Sequence, residues 1–187
     1  MQVQVDGRSV TAETDAAGNF TLTGLPIGSP TLQFNRPGYG RFVQTVEVTK
    51  DNTPAPPVRL GELPTTVFST FDITPYGASI VVHGTISPRL TQPQAHRLFV
   101  GSDFRTLSNT NYLLSVGFTA PAGADRFQDT ISSTVLRGAG LQSFALVYIT
   151  AYADNPMADT YIDATSGRRI YPATAPPSLG STFVNLP

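Results

Sequence analysis

Few side chains in this sequence have the chemistry of catalysis. The only histidines are His83 and His96, and each lies in or beside an apolar run typical of a buried strand. A histidine in such a run is more often structural than catalytic. No Gly-x-Ser-x-Gly elbow, His-Glu-x-x-His pair or glycine-rich phosphate loop occurs. Because cysteine is also missing, the sequence predicts no catalytic residue and therefore no enzyme.

One group of oxygen-bearing side chains has the composition of a cation site. Asp154 and Asn155 are followed by Asp159 and Asp163, and oxygen ligands of this kind suit Ca²⁺. Their spacing does not match an EF-hand loop. Acidic residues in turns commonly hydrogen-bond their own backbone. We therefore predict polar turns here, with no metal site and no cofactor.

Tyrosines gather toward the C-terminal end of the sequence, at Tyr148, Tyr152, Tyr161 and Tyr171. Exposed tyrosines can stack on sugars or form an adhesive surface. Core packing and cross-strand pairs would explain the same residues without any ligand. Tyr161 and Tyr171 flank a predicted hairpin turn at residues 164–167 and are the candidate surface-binding aromatics.

The elements that carry these residues are predicted to be β-strands. The chain of 187 residues has one Lys against eleven Arg and three Glu against ten Asp. Lys and Glu solvate helix surfaces, so their scarcity argues against a helical protein. Short runs of alternating apolar and polar residues, separated by Gly, Pro, Asn and Asp, indicate strands and turns throughout. The strongest run covers residues 144–153, and another covers residues 127–136. The predicted fold class is all-β.

The composition changes near residue 62. Residues 51–57 are rich in proline and typical of a linker, and every Glu and the only Lys precede residue 63. The sequence therefore predicts two consecutive β-sandwich domains, over residues 1–62 and 63–187.

The first of these domains resembles the carboxypeptidase regulatory-like domain. The resemblance covers residues 2–60 and rests on Thr14-Asp15, on Gly-Asn-Phe-Thr-Leu at 18–22, on Leu-Pro-Ile-Gly at 25–28, and on Gly38-Tyr39 before a Val-x-Val strand. It implies a transthyretin-like β-sandwich that is generally non-catalytic. Such domains accompany peptidases, surface proteins and outer-membrane receptors.

The resemblance also implies that the opening strand is missing. Family members usually carry one strand before the segment that corresponds to residues 2–7. Its absence would leave unpaired backbone groups, which invite pairing with another chain. Trimming, a later segment of this chain, and a strand donated by a neighbouring subunit are three explanations. The predicted interaction edge consists of Gln2, Val3, Gln4 and Val5.

The second domain resembles fibronectin type III and related immunoglobulin-like domains. The resemblance rests on two opening strands, on Leu141 ahead of Tyr148-x-x-Ala151-Tyr152-Ala153, and on a closing strand after a proline-rich loop. The tryptophan that many such domains carry on an early strand is absent.

Global properties narrow the functions. A net charge of −1 and a pI near 6.0 give no footprint for nucleic acid. No apolar stretch is long enough for a membrane span, and no signal peptide is expected in this chain. We predict a non-catalytic extracellular or cell-surface protein with a structural or adhesive role, as a filament or surface-layer subunit joined by strand donation. Its partner would be itself or another surface protein. The alternative is a carbohydrate- or ligand-binding accessory module of a larger secreted enzyme or receptor, with a glycan as partner.

Overall fold

A computed structural model shows an all-β protein, which confirms the predicted fold class. The structure describes residues 1–143, 145–175 and 182–186, so Phe144 of the strongest predicted strand lies outside the described residues. The chain forms two compact units. The first contains Met1–Leu63 and Pro156–Ala173, and the second contains Pro64–Asn155 and Thr174–Pro187. The composition change near residue 62 predicts that residues 156–173 belong to the second domain, whereas their contacts group them with the first unit.

The first unit contains a four-stranded antiparallel sheet in the order β2-β1-β3-β4. Its strands are β1 (Gln2–Val5), β2 (Thr11–Glu13), β3 (Thr31–Asn35) and β4 (Phe42–Thr45). Apolar residues alternate with polar ones along β1 and β3, so each strand turns one side to the core. The buried core side chains are Val3, Val5, Leu32, Phe34, Phe42 and Val46.

Side chains from outside the sheet cover this core. Phe20, which the sequence placed on a strand, lies in a segment without strand structure but packs edge-to-face on Phe34 at 5.8 Å. The later segment, 156–173, adds the short hairpin β11 (Tyr161–Ile162) and β12 (Arg169–Ile170), which confirms the hairpin predicted around residues 164–167. This hairpin forms a two-stranded sheet of its own and adds no strand to the four-stranded sheet.

The second unit is a β-sandwich of two antiparallel sheets. One sheet has the order β5-β6-β9, from β5 (Val67–Tyr76), β6 (Ser79–Ser87) and β9 (Arg126–Ile131). The other contains β8 (Leu114–Ala120), β7 (Gln94–Gly101) and β10 (Leu146–Asp154) in that order, with β13 (Thr174–Ala175) and β14 (Thr182–Asn185) both paired to β10. Side chains of both sheets meet in one core, among them Ile80, Val82, Leu98, Val100, Val147 and Ile149.

A short helix corrects one strand prediction. The run at residues 127–136 was expected to be a single strand, but β9 ends at Ile131 and the helix α1 (Ser133–Gly138) follows. Ser132 is the N-cap, and its side chain accepts a hydrogen bond from the backbone N–H of Val135. Such a cap satisfies a backbone donor that would otherwise lack a partner at the start of the helix. Leu136 on this helix is buried in the sandwich core.

Candidate functional site

The predicted interaction edge, Gln2–Val5, is an inner strand of the first unit's sheet. It pairs with Thr11–Glu13 on one side and with Thr31–Asn35 on the other, both antiparallel. Its backbone groups therefore find their partners within the chain. Val3 and Val5 are almost fully buried in the core. The open edge that the sequence analysis expected is therefore not at these residues.

The two candidate binding tyrosines lie in the first unit and are partly buried. The ring of Tyr161 packs edge-to-face on Phe42, with 5.4 Å between the ring centroids. Burial raises the pKa of the Tyr161 phenol above its ordinary value. Tyr171 is partly buried as well. Tyr161 therefore contributes to the core of the first unit, and neither ring is as exposed as those of Phe104 and Phe183, described below.

The acidic residues near the C-terminal strands have separate structural roles. In the second unit, Asp154 forms an ion pair with Arg97, with 2.9 Å between Oδ2 and Nε. In the first unit, Asp159 accepts a hydrogen bond of 2.6 Å from the backbone N–H of Arg59. Asp163 accepts two hydrogen bonds within its own hairpin turn, and these hold its pKa below the ordinary value. In the part of the chain that the structure describes, no group of three His, Cys, Asp or Glu side chains could hold a metal ion.

His96 forms a buried pair across the two sheets of the second unit. Its Nε2 lies 2.5 Å from Oδ2 of Asp129, and its ring packs against Phe68, Phe118 and Phe127. The side chain of His96 is 1% exposed, and its Nδ1 is buried with no hydrogen-bond partner among the described residues. A ring enclosed in this way is almost completely inaccessible to solvent. The His96–Asp129 pair therefore lies within the packed core of the second unit.

The outer face of the β7–β10 sheet carries aromatic side chains where a solvated sheet face would normally be polar. Strand β10 alternates, so its inward residues join the core and its outward residues lie on the other face. The inward set is Val147, Ile149, Ala151 and Ala153. The outward set is Leu146, Tyr148, Thr150, Tyr152 and Asp154.

One part of this outer face is buried by the loop of residues 102–113. Phe99 of β7 is fully buried, with the rings of Tyr112 and Tyr152 each 5.1 Å away. Asn109 of the loop donates a side-chain hydrogen bond of 2.9 Å to the hydroxyl of Thr174. Burial raises the pKa of Tyr152, partly opposed by a backbone hydrogen bond from Asn109. The loop is thus fixed on the sheet.

The rest of the outer face is open to solvent and forms the candidate site. We call the side chains of Phe104, Leu146, Tyr148 and Phe183 the outer aromatic patch. Tyr148 and Phe183 are directly paired across β10 and β14, with ring centroids 6.0 Å apart, and Phe104 reaches Tyr148 at 5.5 Å. Phe104, Leu146 and Phe183 are 54%, 43% and 64% exposed. Large apolar side chains scattered singly on a surface are common, but contiguous ones indicate a binding surface.

Polar groups border the outer aromatic patch. Asn185 is exposed and lies opposite Leu146 in the strand pair, on the same face. The guanidinium of Arg105 lies 5.6 Å from the centre of the Phe104 ring. The patch therefore combines aromatic faces with an amide and a fixed positive charge.

Among the patch residues, the sequence singles out only Tyr148, as one of the tyrosines near the C-terminal end. Phe104 lies in a loop without periodicity, and Phe183 stands in a short closing strand. The available signal was the alternation of β10, in which every second residue from Leu146 faces away from the core. That signal does not show which outward residues a loop will cover.

The structure thus defines a two-unit all-β chain with an exposed aromatic surface on its second unit. Residues 1–61 match the family model of the carboxypeptidase regulatory-like domain, which confirms the resemblance predicted for residues 2–60. No curated protein matches the chain. None of the described helices is long and apolar enough to cross a membrane.

Solved structures that are similar to this chain come from Bacteroides and Parabacteroides species. A proposed carbohydrate-binding protein from Bacteroides uniformis shares 14% identity at a TM-score of 0.42, covering 99% of this chain and 86% of its own. A DUF3823 family protein from Bacteroides ovatus shares 13% identity at a TM-score of 0.42, covering 100% and 87%. A DUF3823 family protein from Parabacteroides merdae shares 15% identity at a TM-score of 0.35, covering 81% and 77%.

Proposed function

We propose that this chain is a non-catalytic glycan-binding module of an extracellular or cell-surface protein, and that the outer aromatic patch is its binding surface. The observation that carries the proposal is the contiguous set of rings at Phe104, Tyr148 and Phe183, of which Phe104 and Phe183 are exposed and Tyr148 is partly buried. The C–H groups on one face of a sugar ring pack against the negative face of an aromatic ring. Hydroxyl groups at the rim of the sugar are then free to bond polar side chains such as Asn185.

The size of the patch favours a small ligand over a protein partner. An aromatic side chain presents about 150–250 Å² when fully exposed. At the exposures given above, Phe104, Leu146 and Phe183 together offer roughly 300 Å² of accessible surface, and Tyr148 is partly buried. A stable protein–protein interface needs about 800 Å² from each partner. The area matches a few sugar residues better than a folded protein.

Other features support a binding module rather than an enzyme. The family model matched by residues 1–61 describes a regulatory-like domain, not a catalytic one. The second unit has the strand arrangement of a β-sandwich with three strands facing a larger sheet. This arrangement is compatible with a fibronectin type III-like or immunoglobulin-like domain, in which function lies in the surface residues rather than the fold.

The predicted filament role loses the observation on which it rested. It depended on an open edge at Gln2–Val5, and that strand is paired on both sides. Self-association stays a prediction, which light scattering at high protein concentration would test.

The experiment for the proposed function is a glycan array followed by calorimetric titration of each glycan that binds. We expect Phe183→Ala and Tyr148→Ala each to weaken binding by about tenfold, the size of a lost central aromatic contact. Tyr76→Ala is the matched control, because Tyr76 is 74% exposed and lies outside the patch. An array without hits, or binding that survives both patch substitutions, would refute the proposal.

The predicted location has its own test. Protease treatment or labelling of intact cells should reach the protein if it is displayed at the surface. Protection in intact cells, with digestion only after lysis, would contradict an extracellular or cell-surface location.

A further inference from the structure

The polar border of the outer aromatic patch indicates which glycans it takes. We infer that the patch selects glycans that carry a carboxylate, such as those built from uronic acids, and that Arg105 binds the carboxylate. This inference rests on the proposed function and makes it more specific.

The first observation is the position of the Arg105 charge. Its guanidinium is stacked over the exposed Phe104 ring, at the edge of the surface where a sugar ring would pack. Arg105 is itself exposed, and no carboxylate lies within ion-pair distance of its guanidinium among the described residues. A guanidinium offers a planar fork of N–H donors that fits a carboxylate with two parallel hydrogen bonds.

The second observation concerns the hydrogen bonds of Asp103. Asp103 is the nearest carboxylate in the sequence, and its charge would repel an anionic ligand if it faced the patch. Both of its oxygens are engaged in the loop. Its Oδ1 accepts a hydrogen bond of 3.0 Å from the backbone N–H of Arg105, and its Oδ2 accepts one of 3.3 Å from the hydroxyl of Thr106. These bonds make Asp103 part of the turn that presents Arg105.

The third observation is that the loop is fixed before any ligand arrives. The side chain of Leu107 packs on Gly101 of β7, and its Cδ1 lies only 3.0 Å from the position that a Cβ atom on Gly101 would occupy. Asn111 donates a side-chain hydrogen bond of 3.1 Å to the carbonyl of Thr106. A loop held by such contacts loses little conformational freedom when it binds, so its contacts contribute more of their energy to affinity.

The other charged pair on this face does not compete for the ligand. Arg97 and Asp154 form an ion pair in which both side chains are largely buried, at 16% and 6% exposed. Their charges cancel locally. Arg105 is therefore the cation that the outer aromatic patch presents to a ligand.

The test compares each acidic oligosaccharide with its own methyl ester. The ester keeps the sugar, the linkage and the apolar ring face, and it removes only the negative charge. Oligogalacturonate and oligomannuronate are suitable probes, titrated by calorimetry at low and at physiological salt. The variants are Arg105→Gln, which removes the charge, and Arg105→Lys, which keeps the charge and loses the fork.

We expect the intact chain to bind at least one acid about fivefold more tightly than its ester, the size of a solvent-exposed ion pair. Arg105→Gln should abolish that preference, so that the acid and its ester bind with equal affinity. Arg105→Lys should keep part of it, and added salt should reduce it, because salt screens exposed charges.

The outcomes separate this inference from the proposed function. Equal binding of acid and ester, or a preference that survives Arg105→Gln, would overturn the role of Arg105 while the patch remains a glycan site. A failure of every acidic and neutral glycan to bind would overturn the proposed function, and this inference with it. Because Arg105 is exposed, its substitution should leave the melting temperature unchanged, and a melting curve of each variant checks this.

Discussion

The contribution of Tyr161 to the first unit can be tested by removing its ring. Residues 156–173 belong to the first unit but are far in sequence from its other part, Met1–Leu63. Tyr161 is the aromatic side chain by which they pack on Phe42. If that contact stabilises the first unit, then Tyr161→Ala should loosen strands β1, β3 and β4. A substitution that only touched a surface loop would leave those strands unaffected.

The size of the effect follows from the contact. Deleting a fully buried large aromatic side chain costs about 3–5 kcal/mol. An edge-to-face ring pair contributes about 1 kcal/mol of such a loss. Tyr161 is only partly buried, so about half of the full value is appropriate, or ~2 kcal/mol.

The assay is hydrogen exchange read by mass spectrometry on the whole chain. We expect faster exchange in peptides that contain Thr31–Asn35 and Phe42–Thr45, by about thirtyfold for ~2 kcal/mol. Peptides of the second unit's β7 and β10 should exchange at unchanged rates. Tyr76→Ala serves again as the control, because it removes the same atoms from an exposed position. Unchanged exchange in the first unit, or a loss confined to the second, would refute the assignment of residues 156–173.

Three further predictions concern packing, a buried pair and pH. Gly40→Ala should lower the free energy of unfolding by about 2 kcal/mol, because the added Cβ would lie 2.2 Å from the backbone carbonyl oxygen of Pro172. Gly138→Ala is the control, since its Cβ would meet nothing within 4 Å and the change should be neutral or slightly stabilising. Denaturant titration measures both. Asp129→Ala should cost about 2 kcal/mol in the same assay, because it leaves a buried ring nitrogen of His96 without its partner, and Asp129→Asn should cost less. In an NMR titration, the pKa of the Asp163 carboxyl should lie below its ordinary value of about 3.9. The stability that this carboxylate contributes is therefore present above that pH and is lost as the pH falls through the lowered pKa. A pKa at or above about 3.9 would contradict the hydrogen bonds in its turn.

Local patterns in the sequence were sufficient for the fold class and for many strands. The alternation of Val3 and Val5 with glutamines matches their burial in β1. The hairpin around residues 164–167 was likewise visible, because Asp163 and Gly167 are turn residues with a physical reason to be there. Gly167 indeed has a φ of 67°. These are properties of neighbouring residues, so sequence reasoning reaches them.

The core to which that hairpin belongs was not visible in the same way. The hairpin follows β10 directly in the chain, and the sequence analysis therefore kept it in the second domain. Its contacts are instead with Phe42 and with Arg59, about a hundred residues earlier, through Tyr161 and Asp159. The choice between two cores depends on the total packing of each, which no short stretch of sequence contains.

The outer aromatic patch shows the same limit within a single sheet. Phe99 of β7 and Phe183 of β14 are both aromatic, and both face outward from the same sheet. Phe99 is nevertheless fully buried, whereas Phe183, which is paired with Tyr148, is 64% exposed. The difference is made by the loop of residues 102–113, which covers Phe99 and places Phe104, near the start of the loop, beside Tyr148. Alternation determines which residues face outward, and a non-local contact determines which of them remain open. A shortened loop should therefore expose Phe99 and enlarge the apolar surface, with a loss of solubility. It would also remove Phe104 and Arg105, so glycan binding should weaken despite the larger aromatic surface.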